Sequence, residues 1–476
     1  MEKQENIIAT YQQIIQETEQ QLQKARKRIR YISLLRLILF VEAVASAIIF
    51  WSDGWLKLIV FTVIPIIAFI WLVQSHNRWF YWKDYLKKKI EINQQELRAL
   101  QYDFSDFDNG KEYIDPSHLY TFDLDIFGEH SLFQYINRTS TPIGKQRLAN
   151  WFNAHLEEKE AIEQRQEAIR ELSSELEFRQ QFRLLGLLYK GKPSDTSEIK
   201  EWVNSPSDYR KHAFLRILPT AVGIINLLCI GRNDSGISPC KHQRDSICML
   251  CRIQFYLLKR NNQNTSDVWR KTTNSVYLRR PDSHHREKEM HSPALQQLKA
   301  ELTSQNQTAS QSVHRLAKLM NALDQRGNLL MSTILNGLLF WELRQVMQIE
   351  KWKEAHSADL PRWIEAIGAI DAYCSLATFS YNHPDYIYPQ ITSQSFHLQA
   401  EALGHPLMNR NKCVRNGIDM EKRPFFIIIT GRQHGRQKYL PAHRRCQLPL
   451  GLHWCSCMGC ENGNISRSSC HQPPDK

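Results

Sequence analysis

The hydrophobic pattern changes character several times along the chain. Residues Glu2 to Arg30 are polar and rich in Gln, Glu and Lys, which predicts an exposed helix or short coiled coil. Two unbroken apolar runs follow, Ser33–Trp51 and Trp55–Val73, separated by the turn Ser52-Asp53-Gly54. Each run is 19 residues long, close to the ~20 that span a bilayer as a helix. The turn is too short to hold a domain, so the pattern predicts a transmembrane helical hairpin. A buried hairpin inside a globular protein is the alternative. Basic flanks, Lys24, Arg26, Lys27, Arg28 and Arg30 before the first run and Arg78, Lys83, Lys87, Lys88 and Lys89 after the second, place both ends on the cytoplasmic side. Trp51, Trp55, Trp79 and Trp82 suit an interfacial aromatic belt. Within the first run, Arg36 can snorkel and Glu42 is expected to face the partner helix. A third apolar run, Ala213–Ile230, is marginal because it contains Arg216 and Pro219. A fourth span must follow it if the remainder is cytoplasmic.

Downstream the apolar positions take helical spacing. Ala161, Ile162, Arg165, Ala168, Ile169 and Leu172 form one helical face, and Ala366, Ile367, Ile370, Asp371, Leu376 and Ala377 form another. Glu287–Glu350 is strongly helical in composition, and the apolar run Ser332–Phe340 inside it is short for a membrane span. Ser131 and Thr141 are expected helix N-caps. Pro142 suits a first helical turn, and Gly144 lets helices approach closely. Arg423–Gly431, RPFFIIITG, is a buried β-strand run ending in glycine.

Charge and cysteines modify this picture only slightly. The formal net charge of +12 suggests an acidic partner, nucleic acid or anionic lipid. No cleavable signal is apparent, because the chain is polar and charged before the first apolar run. Of eleven cysteines, eight fall within Cys240–Cys251 and Cys446–Cys470. Cys455, Cys457 and Cys460 with His453, or Cys248 with Cys251, raise the question of zinc. Their spacing makes no clean four-ligand site, and no metal site is assigned.

One segment points to a family. Phe122–Trp151, FDLDIFGEHSLFQYINRTSTPIGKQRLANW, resembles the start of the core (lever) domain of the MutS mismatch-repair ATPases, with its "SLF" helix start, "NRT.TP.G" and "RL..W". Leu360–Ile391 resembles the helix that returns from the MutS lever toward the ATPase. His397-Leu398, Gly404-His405-Pro406-Leu407 and Asn416-Gly417-Ile418 resemble the approach to that ATPase, and Arg423–Gly431 resembles the strand that feeds its phosphate loop. The resemblances cover roughly half the chain in the family's order.

The likeness stops at the next residue. After Thr430-Gly431 the family requires G-x-x-x-x-G-K-[ST], whose amides, Lys and hydroxyl hold the phosphates and Mg²⁺. Here the chain reads Arg432-Gln433-His434-Gly435-Arg436-Gln437-Lys438-Tyr439, and no acidic magnesium-binding strand follows. Permitted codons for Arg432–His443, read one base out of register, spell A-N-M-A-G-K-S-T-Y-L-R, which after Gly431 is the MutS phosphate loop. A one-base frameshift at Gly431, natural or from sequencing, is the expectation. Arg232–His285 is Cys- and Arg-rich without periodicity. In the same shifted frame Gly236–Phe255 can spell A-F-L-P-V-S-I-N-G-I-V-F-V-C-C-V-V-F-S-F, an apolar span.

These readings give a mainly α fold: an N-terminal transmembrane hairpin, a MutS-type helical core and lever, and only the first β-strands of a P-loop ATPase domain. The expected organisation is a cytoplasmic helix over 1–31, the hairpin over 32–74, a linker helix over 75–120 and the start of the core over 121–210. A third span with an anomalous block follows over 211–286, then lever helices over 287–391, the start of the ATPase over 392–431 and an anomalous, unstructured tail over 432–476. The resemblance implies ATP and Mg²⁺ as cofactors, with Thr430, Gly431, His405, Pro406 and Asn416 as the remnant of the ATP site, no catalytic residue and no productive nucleotide binding. It implies double-stranded DNA, mismatched or branched, as a partner and a homodimer in the intact family; membrane lipid is the other expected partner. The expected location is a bacterial-type cytoplasmic membrane, multi-pass, with the MutS-like part facing the cytoplasm. No Phe-x-Glu mismatch-reading motif precedes the lever. The alternative is a non-enzymatic membrane scaffold or a pseudogene product.

Overall fold

A computed structural model describes residues 2–49, 61, 64–188, 193–205, 214, 217–221, 224, 290–304, 307–324, 340–392, 398–420, 457–458 and 464–466. Its helices are α1 (Glu2–Ile49), α2 (Ile64–Leu100), α3 (Leu132–Ile136), α4 (Pro142–Asn153), α5 (Lys159–Ser173), α6 (Leu176–Leu188), α7 (Pro193–Asn204), α8 (Pro293–Glu301), α9 (Ala309–Asp324), α10 (Trp341–His356) and α11 (Asp359–Asn382). The strands are β1 (Thr303–Ser304), β2 (Gln307–Thr308), β3 (Tyr386–Ile387), β4 (Gln390–Thr392), β5 (Leu398–Leu403), β6 (Asn416–Met420), β7 (Cys457–Met458) and β8 (Asn464–Ser466). The chain divides into two compact units, one of Met1–Arg138, Ala149–Leu188 and Cys374–Lys476, the other of Thr139–Leu148 and Tyr189–Tyr373.

In the first unit α1 and α2 run antiparallel. Leu22 and Ala25 pack on Leu86 and Ile90, while Ile7 and Tyr11 pack on Leu100, with Leu176 and Tyr381 closing that end. The polar N-terminal stretch therefore forms the inner half of a long hairpin, because its sparse apolar residues return every three to four positions onto one face. Residues further along, Leu37, Phe40, Val41, Ile48, Ile67 and Trp71, are each more than half exposed, and nothing among the described residues covers them.

Here the expected bilayer hairpin is corrected. Among the described residues no helix is long and apolar enough to cross a membrane. The first apolar run is the end of a 48-residue helix that begins polar, and it carries Arg36 and Glu42. The second enters a described helix only at Ile64, ten residues before Gln74. The multi-pass membrane location falls with the hairpin. Most of the third apolar run, and the block that follows it, lie outside the described residues.

The same unit holds a four-stranded sheet in the order β4-β8-β5-β6, parallel between β4 and β8 and antiparallel elsewhere. β3 pairs antiparallel with β7. Along β5, Leu398 and Ala400 point inward at the strand period of two. A bulge then shifts the register between Ala400 and Leu403, with Ala402 at φ 50°, so that Leu403 is buried in its turn. The expected strand Arg423–Gly431 lies outside the described residues.

The second unit is helical. Val313 and Leu316 of α9 and Leu343 of α10 are buried, and the indole of Trp352 donates to the carbonyl of Ser312 at 2.8 Å. Trp363 is fully buried beside His356, ring centroids 5.4 Å apart. Lys353 reaches Ser205 Oγ at 2.7 Å, just past the end of α7. The helical expectation for 287–350 holds for α8, α9 and the start of α10. It is interrupted by the β1–β2 hairpin, where Thr303, Ser304 and Thr308 favour extended backbone over helix.

Candidate functional site

The sequence-predicted residues fall into two groups. His405 and Pro406 are buried in the turn after β5, and Asn416, exposed, opens β6 opposite Leu403. A hairpin between β5 and β6 thus brings these three together. The His405 amide donates to Cys413 Sγ at 3.3 Å, and His405 Nδ1 accepts from the Leu407 amide at 3.2 Å. An accepting Nδ1 places the ring proton on Nε2. The amide group of Asn416 turns back to the Val414 carbonyl at 3.4 Å. These contacts shape the loop; they do not present a row of amides to an anion. Thr430 and Gly431 lie outside the described residues.

The loop is held down by Arg410, which sequence inspection did not single out. Its amide donates to Tyr102 Oη at 3.2 Å. Its Nη1 donates to Gln4 Oε1 at 3.2 Å and Asp385 Oδ2 at 2.7 Å, and the guanidinium lies over the Tyr386 ring at 5.2 Å. Burial raises the Tyr102 hydroxyl above its ordinary range, partly offset by Arg410.

The second group surrounds the segment from Ser131 to Gly144. Ser131 caps α3 by accepting from the Gln134 amide, and Thr141 Oγ1 caps α4 by accepting from the Gly144 amide at 2.9 Å, as expected from the sequence. Pro142 is the first residue of α4. Gly144 is needed for contact: a Cβ there would stand 2.5 Å from the Cβ and 2.6 Å from the Cγ of Asp371, and closer still to its Oδ2. One turn earlier on α11, a Cβ at Gly368 would meet Ile143 less severely, at 3.0–3.3 Å. Asp371 is a second cap for α4, supplied from α11. Its carboxylate accepts from the Ser140 and Thr141 amides at 3.0 and 2.8 Å and from Thr141 Oγ1 at 2.6 Å. Burial nevertheless pushes its pKa up to about 6 against these donors. The sequence signal was an acid inside an apolar helical stripe, Ile370-Asp371-Ala372.

The first unit holds a buried charge network of its own. Glu96 of α2 is 2% exposed and meets Arg138 Nη2 at 3.2 Å and Arg183 Nη1 at 2.5 Å. Asn382 donates to Glu96 at 2.8 Å and accepts from the Tyr11 hydroxyl at 2.8 Å. Burial raises the Glu96 carboxyl, but the two guanidinium charges and their hydrogen bonds bring it below its ordinary value. The Arg138 amide donates to Ser375 Oγ, which donates to the Ile136 carbonyl, each at 2.8 Å. Tyr135 pairs with His383 Nε2 at 2.8 Å, and His383 Nδ1 donates to the Phe379 carbonyl. Burial depresses His383 to about 3, so the ring is neutral. Every one of these groups is spent on packing and hydrogen bonding.

A family model described as MutS domain III matches residues 119–377, more than half of the chain. The chain belongs to the MutS family. The matched span contains both caps, Gly144, Arg138 and Asp371. A comparison with curated proteins found no match. The His405–Asn416 hairpin and the α1–α2 pair lie outside the MutS domain III span. Among the described residues no group of His, Cys, Asp and Glu is arranged to hold a metal ion. The Cys-rich clusters fall almost wholly outside the described residues, whereas Cys374 and Cys413 are described and form no disulfide.

Proposed function

We propose that this chain carries the structural core of a MutS-type protein whose intact form binds mismatched or branched double-stranded DNA under the control of ATP, as a homodimer, and that the chain as it stands does not hydrolyse ATP. The observation that carries the first half is the domain III match over 119–377, with the motif residues Ser131, Thr141, Pro142 and Gly144 in the structural roles described above. The basic balance of +12 is in keeping with a polyanionic partner.

The second half rests on donor chemistry. ATP and Mg²⁺ require a Lys followed by a hydroxyl residue at the end of a glycine-rich loop. Lys438 is followed by Tyr439, and the two described residues of the expected ATP-site remnant with polar side chains, His405 and Asn416, hydrogen-bond within their own loop. The residues present do not fit the nucleotide, so no catalytic step is assigned to them. A one-base shift of frame at Gly431 would account for the abrupt change, because permitted codons read in the alternative frame spell Gly-Lys-Ser-Thr in register.

Two experiments test this reading. Fluorescence anisotropy with mismatched, four-way and fully paired DNA, titrated over salt, is expected to show binding whose affinity falls steeply as salt rises. Absence of binding at low salt to all three would remove the DNA assignment. Sequencing the coding DNA across codons 425–476 decides the frame: an uninterrupted frame encoding Arg432 onward excludes the shift.

A further inference from the structure

Arg410 joins three parts of the first unit that are far apart in sequence. It sits in the loop between β5 and β6, yet its side chain contacts Gln4 in the first turn of α1 and Asp385 just beyond α11, while its amide contacts Tyr102 just beyond α2. Tyr102 is itself held in the left-handed region, φ 67°, and stacks on Tyr135 with ring centroids 6.1 Å apart. Three residues beyond Gln4, the buried Ile7 begins the cluster that seats α1 on Leu100, and Tyr11 connects that seat through Asn382 to Glu96.

We propose that Arg410 is a latch that ties the β5–β6 loop to the first turn of α1, so that the seating of α1 sets the position of His405 and Pro406. The strength of the tie suits a latch rather than a permanent fastening. Asp385 is 40% exposed, and such half-exposed pairs are individually weak. Gln4 is neutral and only partly buried. Arg410 itself is 13% exposed, so its geometry is defined by packing on Tyr386 even though its polar contacts are modest. Displacing α1 removes the Gln4 contact, and displacing the loop removes the Gln4, Asp385 and Tyr102 contacts together. Each movement therefore weakens the other side. The coupling is mechanical and does not depend on nucleotide binding.

Hydrogen exchange followed by mass spectrometry on the full chain tests the coupling without any nucleotide, so a failed ATPase assignment leaves the result interpretable. Arg410→Gln is expected to speed amide exchange roughly two- to fivefold both in peptides covering 404–413 and in those covering 2–11, the range one weak pair supplies. Peptides covering 372–382 should keep their protection, which establishes that the unit is folded. Gln4→Ala, a mild change on a partly exposed helix face, should speed exchange in 404–413. The proposal is overturned if Arg410→Gln loosens the loop and leaves 2–11 unchanged, or if Gln4→Ala leaves 404–413 unchanged. Should Arg410→Gln fail to fold, the Gln4→Ala result alone decides.

Discussion

Replacing Gly144 by Ala sets two physical effects against each other with opposite signs. Considered only as a helix residue, Gly144→Ala should stabilise α4 by about 1 kcal/mol, the ordinary propensity difference. Considered in its packing, the new methyl would stand 2.5–2.6 Å from the Cβ and Cγ of Asp371. Those atoms are not the loose end of a flexible chain. The Asp371 carboxylate is pinned by the Ser140 and Thr141 amides and the Thr141 hydroxyl. Overpacking of this kind costs about 1–3 kcal/mol. Pushing Asp371 away also strands buried amide donors, at about 1–3 kcal/mol for each one lost. With one donor stranded, subtracting the propensity gain leaves a net destabilisation of about 1–5 kcal/mol. Urea denaturation followed by far-ultraviolet circular dichroism measures it. A double-mutant cycle adds specificity: with Asp371→Gly already present, the Cβ, Cγ and carboxylate that would clash are all gone and Gly144→Ala should become neutral or stabilising. Stabilisation by Gly144→Ala in the unmodified chain would refute the close contact between α4 and α11.

Other outcomes follow from the buried charges. Glu96→Ala leaves Arg138 and Arg183 without their shared carboxylate and should cost about 3–5 kcal/mol, read from the same denaturation curve; a cost below about 1 kcal/mol would mean the network is solvated. Glu96 is held below its ordinary value and His383 is depressed to about 3, so both contribute stability at neutral pH. That contribution should fade as pH drops below about 6.5 for His383 and below the ordinary carboxylate range for Glu96, and a thermal melt of Asp371→Asn, which removes the opposing titration of Asp371, unchanged between pH 7 and 4 would contradict it. Asp371 runs the other way: raised from 3.8 to about 6, its contribution is full below pH 3.8 and is lost as pH rises through about 6. Asp371→Asn should therefore remove that part of the pH dependence, and the stability gap between the two proteins should narrow from pH 4 to pH 7; a constant gap would show that Asp371 does not titrate in that window.

The sequence was most informative where a residue type has one local physical use. Ser131 and Thr141 before helical runs, Pro142 at a first turn and Gly144 on a packed face all announced their roles, because capping and close approach depend on short-range geometry. Asp371 was visible as an acid among apolar neighbours, but its partner helix was not, since the Ser140–Thr141 amides lie 230 residues away in sequence. Glu96 and Arg410 gave no signal at all, because each sits in polar text and acquires its role from distant partners. The apolar runs were the most misleading. Hydropathy over Ser33–Trp51 suggested a bilayer span, whereas the described helix is longer, starts polar and packs its inner half on α2. Interruption of the lever pattern at Thr303–Thr308 reflects a short cluster of residues that prefer extended backbone inside otherwise helical text. The departure at the phosphate loop is legible only through the resemblance of Arg423–Gly431 to the strand that feeds it, a stretch beyond the MutS domain III span.

The central proposal is that this MutS-family chain keeps its domain III core but lacks a working nucleotide loop. Steady-state ATP turnover by the purified full chain, with and without DNA, tests this most directly. The account predicts no hydrolysis above background in either condition. Turnover that disappears on Gly431→Ala or Lys438→Ala would contradict it, and would mean that the residues after Gly431 hold phosphate in a way the MutS pattern does not describe.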